Sequence, residues 1–168
     1  SLTVVVPVYG NEGSITPLIA ALASIKEQLK VPFETVFVID GSPDRSYARL
    51  REQLPSAGFD ARLISLSRNF GAFPAIRVGL EHARNSIIAV MAADLQEPPA
   101  LVLNLFKELS TGDKDIAMGV RESRDDPGLS KMASGMFWAM YRRFVMPDIP
   151  KGGVDIFAVT SDMRDRLL

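Results

Sequence analysis

A repeated switch of hydrophobic period limits the folds open to this chain. Short runs rich in Val and Ile, apolar with little alternation, are separated by longer stretches whose apolar residues recur at helical spacing. The runs are "LTVVVPVY" (2–9), "ETVFVID" (34–40), "ARLISL" (61–66), "SIIAVMA" (86–92) and "KDIAMGV" (114–120). Between the first two lies "SITPLIAALASIKEQL" (14–29), with Ile15, Leu18, Ile19, Leu22, Ile25 and Leu29 on one face and Ser14 placed as N-cap. "DRSYARLREQL" (44–54) and "FPAIRVGLEHAR" (73–84) are the next helices. "PALVLNLFKEL" (99–109) opens on Pro, whose missing N–H is harmless in a first helical turn. Strands apolar on both faces need helices on both faces, so a parallel sheet covered on each side is expected. A charged loop, "RESRDDPG" (121–128), a longer amphipathic helix (129–146) and a last strand, "VDIFAVT" (154–160), complete the expectation.

Composition narrows the function classes. A chain of 168 residues, 47% of them hydrophobic, is about one domain and can bury its core without disulfides. It has no cysteine, which excludes a disulfide framework and a thiolate zinc site and makes a reducing, cytoplasmic setting the default. The net charge of −1 argues against a nucleic-acid partner. No apolar run approaches the roughly 18 residues that span a bilayer, and no leader pattern opens the chain. The start at Ser1 and the end at "DMRDRLL" lead us to expect a single domain over 1–168, truncated at its C-terminus.

In open parallel sheets ligands gather at the carboxyl ends of the strands. The first strand delivers Pro7, Tyr9 and Glu12 there, and the second delivers Asp40, Ser42 and Asp44. The third brings Ser67, Arg68 and Asn69, the fourth Asp94 and Gln96, and the fifth Arg121 and Arg124. Acids with arginines on one edge suit a nucleoside diphosphate and a cation better than an apolar ligand. No G-x-G-x-x-G or G-x-x-x-x-G-K is present, so neither a dinucleotide fingerprint nor a P-loop is supported. His82 is the sole histidine and lies mid-helix, which argues against Ser–His catalysis.

"VPVYGNEGSI", "VIDGSPDRS", "LSRNFGAFPAIRVGLEHA", "MAADLQEPPAL", "MGVRESR" and "GGVDIFAV" follow one another in the order and spacing of a single family. The chain resembles the family 2 glycosyltransferases, and among them the polyprenyl-phosphate sugar transferases of the dolichyl-phosphate mannose synthase type. The resemblance implies a three-layer α/β/α GT-A fold, a Rossmann-like nucleotide-diphospho-sugar transferase domain with a mainly parallel sheet. It further implies transfer of a sugar, with inversion, from a nucleoside-diphosphate sugar to a polyprenyl phosphate or another lipid or sugar acceptor. The setting implied is cell wall biogenesis at the cytoplasmic face of the inner or plasma membrane.

By the same resemblance, Pro7, Tyr9, Glu12 and Asp40 would contact the base and ribose, with Ser42, Arg68 and Asp94 completing the donor site. Asp94 and Gln96 would hold Mg²⁺ or Mn²⁺ with the diphosphate. Arg121 would be catalytic, Arg124 and Lys131 would bind the acceptor phosphate, and Asp155 would orient the acceptor or act as base. A lipid phosphate is already anionic and needs cations more than a base, whereas a hydroxyl acceptor would require Asp155.

The chain also departs from the family's pattern. Ala92 stands where D-A-D-L-Q has its first acid, Ile39 where D-D-G-S has its first, and Gly10–Asn11 where Asn-Glu is usual. Two acids are therefore expected to be missing from the pocket. Magnesium can manage with one or two carboxylates, waters and the substrate's phosphates, so a metal that binds together with the nucleotide is expected. Arginines replacing the metal are a different possibility. So is a pseudo-transferase, a sugar-nucleotide-binding or assembly module without catalysis. Met132, Met136, Phe137, Met140, Tyr141 and Phe144 give the 129–146 helix a wide apolar stripe, for packing on the sheet, on a second subunit of a homo-oligomer, or on lipid.

Overall fold

The computed structural model describes residues 1–120 and 154–168. The strands are β1 (Leu2–Val8), β2 (Phe33–Ile39), β3 (Asp60–Ser65), β4 (Ile87–Val90), β5 (Ile116–Val120) and β6 (Val154–Thr160). The helices are α1 (Ile15–Gln28), α2 (Ser46–Gln53), α3 (Ala72–His82), α4 (Ala100–Ser110) and α5 (Ser161–Leu167), with a short 3₁₀ turn at Leu54–Ser56. One sheet runs in the order β3-β2-β1-β4-β6-β5. β1 pairs in parallel with β2 and β4, and β2 with β3.

The apolar runs form the centre of this sheet because they are covered on both sides. β2 is buried at every position and β1 at every position but Pro7. Alternate residues feed two cores. Val4, Val6, Val8, Phe37 and Ile39 pack with Leu18 and Leu22 of α1 and Leu105 of α4. Val5, Val36, Val38 and Val90 pack with Ala75 and Leu80 of α3. α3 lies so close to β1 that a Cβ on Gly79 would run into the Val5 side chain. β3 is the half-buried edge, in keeping with Arg62 in its sequence.

The expected mainly parallel sheet is present, with one reversal. β6 inserts between β4 and β5 and is antiparallel to both. The C-terminal ends of β1–β5 and the N-terminal end of β6 therefore share one edge. The chain builds outward from β1 to β3, then crosses back to lay β4 on the other side of β1. That reversal opens a crevice above β1 and β4.

Two local details differ from the expectation. The Ser14 hydroxyl precedes α1 but donates to the Asn11 carbonyl (3.1 Å) and does not cap the helix. α5 is an addition to the expected elements; Thr160 caps it by accepting from the Met163 N–H (3.3 Å), and Asp162 sits in its first turn. Among the described residues no helix is long and apolar enough to cross a membrane. The expected loop 121–128 and helix 129–146, with Arg121, Arg124 and Lys131, lie outside the described residues.

Candidate functional site

A cleft of about 350 Å³ occupies the crevice. The turn after β1 supplies Pro7, Val8, Tyr9 and Asn11, and the end of β2 supplies Asp40. The β3–α3 loop adds Asn69, Gly71 and Ala72, and the turn after β4 adds Ala92, Ala93 and Asp94. Of the residues expected at a donor site, Pro7, Tyr9, Asp40 and Asp94 line it. Glu12, Ser42, Arg68 and Gln96 are not among the lining residues. Asn11, Gly71 and Ala72 line it without being expected as site residues. The "SRNFGA" segment carries the signal for the last two, because a loop that follows a strand's carboxyl end must border any crevice there.

The turn after β1 is held by side chains. The Tyr9 N–H donates to Asn11 Oδ1 (3.0 Å), Gly10 N–H to Ser42 Oγ (2.8 Å), Asn11 N–H to Ser46 Oγ (3.2 Å) and Glu12 N–H to Asp44 Oδ2 (2.9 Å). Four consecutive amides are thus engaged, so this turn cannot cradle a phosphate as a free nest of N–H groups would. Glu12 turns away from the cleft, its Oε2 accepting from the Arg45 N–H (2.8 Å). Ser42 likewise bridges the two turns, also donating to Asp44 Oδ1 (2.6 Å). Burial alone would raise the Asp44 pKa. The Ser42 and Ser46 hydroxyls and the N–H groups of Glu12 and Ser46 outweigh it and hold the carboxyl down at about 2.

Asp40 organises the opposite loop. It is 3% exposed, and its two oxygens accept from the Phe70 N–H (2.7 Å) and the Gly71 N–H (2.8 Å). Next to it Gly41 is left-handed (φ +59°), and a Cβ there would collide with the Arg68–Asn69 backbone, so the close approach of these loops requires glycine. Arg68 lies over the Phe70 ring, 4.8 Å from its centroid.

The turn after β4 is built differently. Asp94 is exposed, and its Oδ1 accepts from the Gln96 N–H (3.2 Å). Between them Leu95 is left-handed (φ +58°), a conformation costing a non-glycine residue on the order of 1–3 kcal/mol. Its side chain packs against the core, which holds the turn in place. Ala92 faces the cleft, but Ile39 does not. Ile39 is 2% exposed within the α1-side core. The expectation of two acids missing from the pocket is therefore corrected to one, because alternation along β2 turns Asp40 toward the crevice and Ile39 into the core.

This donor set limits how a cation could be held. Among the described residues no three His, Asp or Glu side chains converge as a ready-made metal site. Both Asp40 oxygens are taken by backbone donors, which leaves the exposed Asp94 as the accessible carboxylate among the described residues that line the cleft. One carboxylate fits a hard cation that shares its shell with a ligand's phosphates and with water, not one caged by protein alone. Asp155 lies near the start of β6, and strand reversal brings that start to the cleft edge; its side chain is outside the described residues.

The model of the family "Glycosyl transferase family 2" matches residues 3–166. The chain is 36% identical over 151 residues to the glycosyltransferase YkcC of Bacillus subtilis, covering 88% of this chain and 46% of that protein. It is 33% identical over 142 residues to the undecaprenyl-phosphate 4-deoxy-4-formamido-L-arabinose transferase of Sodalis glossinidius, covering 84% and 43%. The chain thus spans about half the length of the curated relatives it matches. Among solved structures it resembles the mannosyltransferase PcManGT of Pyrobaculum calidifontis, with a TM-score of 0.64 and 22% identity, covering 99% of this chain and 46% of that one. With its strand order, its crevice and a match running almost from end to end, the chain belongs to glycosyl transferase family 2 and has the GT-A fold.

Proposed function

We propose that this domain transfers a sugar from a nucleoside-diphosphate sugar to a polyprenyl phosphate at the cytoplasmic face of a membrane. The observation that carries this reading is the crevice at the sheet's switch point, with Tyr9 and Asp40 on one wall and the exposed Asp94 on the other. Two relatives support the acceptor class, being named as an undecaprenyl-phosphate sugar transferase and a dodecaprenyl-phosphate galacturonate synthase. The donor class is supported by PcManGT, which was solved with GDP-Man and Mn²⁺.

In this reading Pro7, Tyr9 and Asp40 border the base and ribose, while Asp94, with Gln96 beside it, would hold Mg²⁺ or Mn²⁺. A divalent cation there would neutralise charge that grows on the departing nucleotide. An acceptor phosphate oxygen attacks the anomeric carbon from the face opposite the leaving group. The new C–O bond forms as the bond to the diphosphate breaks, the nucleoside diphosphate leaves, and the anomeric configuration inverts. Arg121, Arg124 and Lys131 would steady the acceptor's phosphate, and Asp155 would orient the acceptor. The acceptor arrives without a proton to lose, so Asp155 is not needed as a base. A hydroxyl acceptor would reverse that requirement, and Asp155→Asn distinguishes the two. No observation favours the module without catalysis.

The test is calorimetric titration of UDP and GDP with and without Mn²⁺ or Mg²⁺, followed by transfer to a polyprenyl phosphate by the full-length protein. Metal-dependent binding and transfer are expected. Absence of binding to either nucleotide would overturn the reading.

A further inference from the structure

We propose that Asp44 is a positioning residue for the donor nucleotide, acting from outside the cleft by stitching the β2–α2 turn to the β1–α1 turn. The inference rests on the nucleotide-cleft reading above. Asp44 is not among the residues that line the cleft, whereas Tyr9 and Asn11 of the turn it holds are.

The stitching is reciprocal. Ser42 and Asp44 of one turn and Ser46, which opens α2 after it, accept from Gly10, Glu12 and Asn11, consecutive amides of the other. Glu12 returns a bond, its carboxylate accepting from the Arg45 N–H. Asp44 is the centre of this set. Beyond the Glu12 amide it accepts from the Ser46 N–H (3.0 Å) and the Ser42 hydroxyl (2.6 Å). By accepting the Ser42 O–H hydrogen bond it leaves that hydroxyl's lone pairs to receive the Gly10 N–H. One carboxylate therefore accepts three bonds directly, that from Glu12 crossing between the turns, and supports a fourth, from Gly10, through Ser42.

The wall needs this support. Tyr9 is 50% exposed, so little packing holds its ring, and Gly10 beside it is left-handed with open space around its Cα. Such a turn would sample several shapes if its amides were released. A ligand would then have to order it on binding, and affinity would fall even with every side chain that lines the cleft unchanged. The effect should appear in donor recognition and not in the reaction step, because the residues around Asp94 lie on a different turn.

The test uses the full-length protein and two variants. Asp44→Asn keeps the side chain's size, but its one amide oxygen can serve only one side, so either the Glu12 amide or the Ser42 and Ser46 donors face an NH₂ instead of an acceptor. Ser46→Ala removes the acceptor for Asn11; Ser46 is 0% exposed, so it cannot touch a ligand itself. Affinity for UDP and GDP with Mn²⁺ is measured by calorimetry, donor and acceptor KM and kcat by transfer, and Tm in parallel. Asp44→Asn should weaken nucleotide binding roughly ten- to a hundredfold, and Ser46→Ala severalfold. Donor KM should rise while kcat at saturating donor and acceptor KM stay within about twofold. Asp44→Glu should not restore affinity, since the longer side chain cannot meet both turns. Parent-like nucleotide affinity in both variants overturns the proposal. So do a fall in kcat and a rise in acceptor KM that track the loss of affinity, which would mark general support of the fold. A parent protein that binds neither nucleotide overturns the cleft reading itself, and the role of Asp44 with it.

Discussion

The two walls of the cleft are built on opposite principles. On the β1–β2 side the polar groups of the turns are engaged with one another: the amides of residues 9–12 are bonded, and Asp40, Asp44 and Glu12 all accept from backbone N–H groups. On the β4 side Asp94 is exposed, held by one local bond and a left-handed Leu95. The first wall uses its polar groups to fix a shape, which suits recognition of a flat, rigid base. The second keeps a carboxylate available for ligation, which suits a charge that changes during reaction.

Substitutions should separate these roles. The largest effect is expected for Asp94→Ala, which removes the accessible carboxylate. Transfer should fall by about two to three orders of magnitude, the scale for losing one preorganised electrostatic partner. Stability should stay within about 0.5 kcal/mol, as for other exposed positions. Steady-state turnover and urea unfolding check both halves, and a large loss of stability would erase the contrast between the walls. Asp40→Asn should show first as a loss of stability. Placing an amide NH₂ against a backbone donor at a 3% exposed site should cost about 1–3 kcal/mol of stability, read as a lower urea midpoint.

Asp44 adds a pH signature to the wall it stitches. Its folded pKa is depressed from 3.8 to about 2, so its stabilisation is fully present above the unfolded value and is lost as pH falls from near 3.8 through about 2. The loss should be on the order of 2 kcal/mol at most, less what solvent screening removes. Unfolding measured between pH 5 and pH 2 should show it, and Asp44→Asn should flatten that part of the profile. The smallest change is a gain. Ala92 lines the cleft beside Asp94, so Ala92→Asp should tighten Mn²⁺-dependent UDP or GDP binding about tenfold, on the scale of 1–2 kcal/mol for an added charge contact at a partly solvated site. Unchanged affinity would mean that Ala92 does not face the cation.

Much of this was legible in the residues. The runs at 2–9, 34–40 and 86–92 became β1, β2 and β4 within a few residues, because non-alternating Val and Ile fit only strands covered on both faces. The edge that carries the site was legible as well, since ligands collect at strand ends whatever the loops contain. The motif residues sorted less cleanly. "GSPDRS" and "GNE" read as ligand-facing turns, yet Ser42, Asp44 and Glu12 bond mainly to groups within these two turns. A turn rich in acceptors looks the same in sequence whether its partner is a nucleotide or a neighbouring loop.

The period of each element, the α/β class and the family can thus be read from the residues alone, since all of them are local in origin or spread along the whole chain. It took the assembled sheet to make β6 run backward between β4 and β5, to turn Ile39 to the core and Ala92 to the cleft, and to join two turns through Asp44. Each of these depends on which residues meet across long stretches of chain. Strand direction and side-chain facing are set by packing against elements distant in sequence, and a hydrogen bond has no partner until those elements meet.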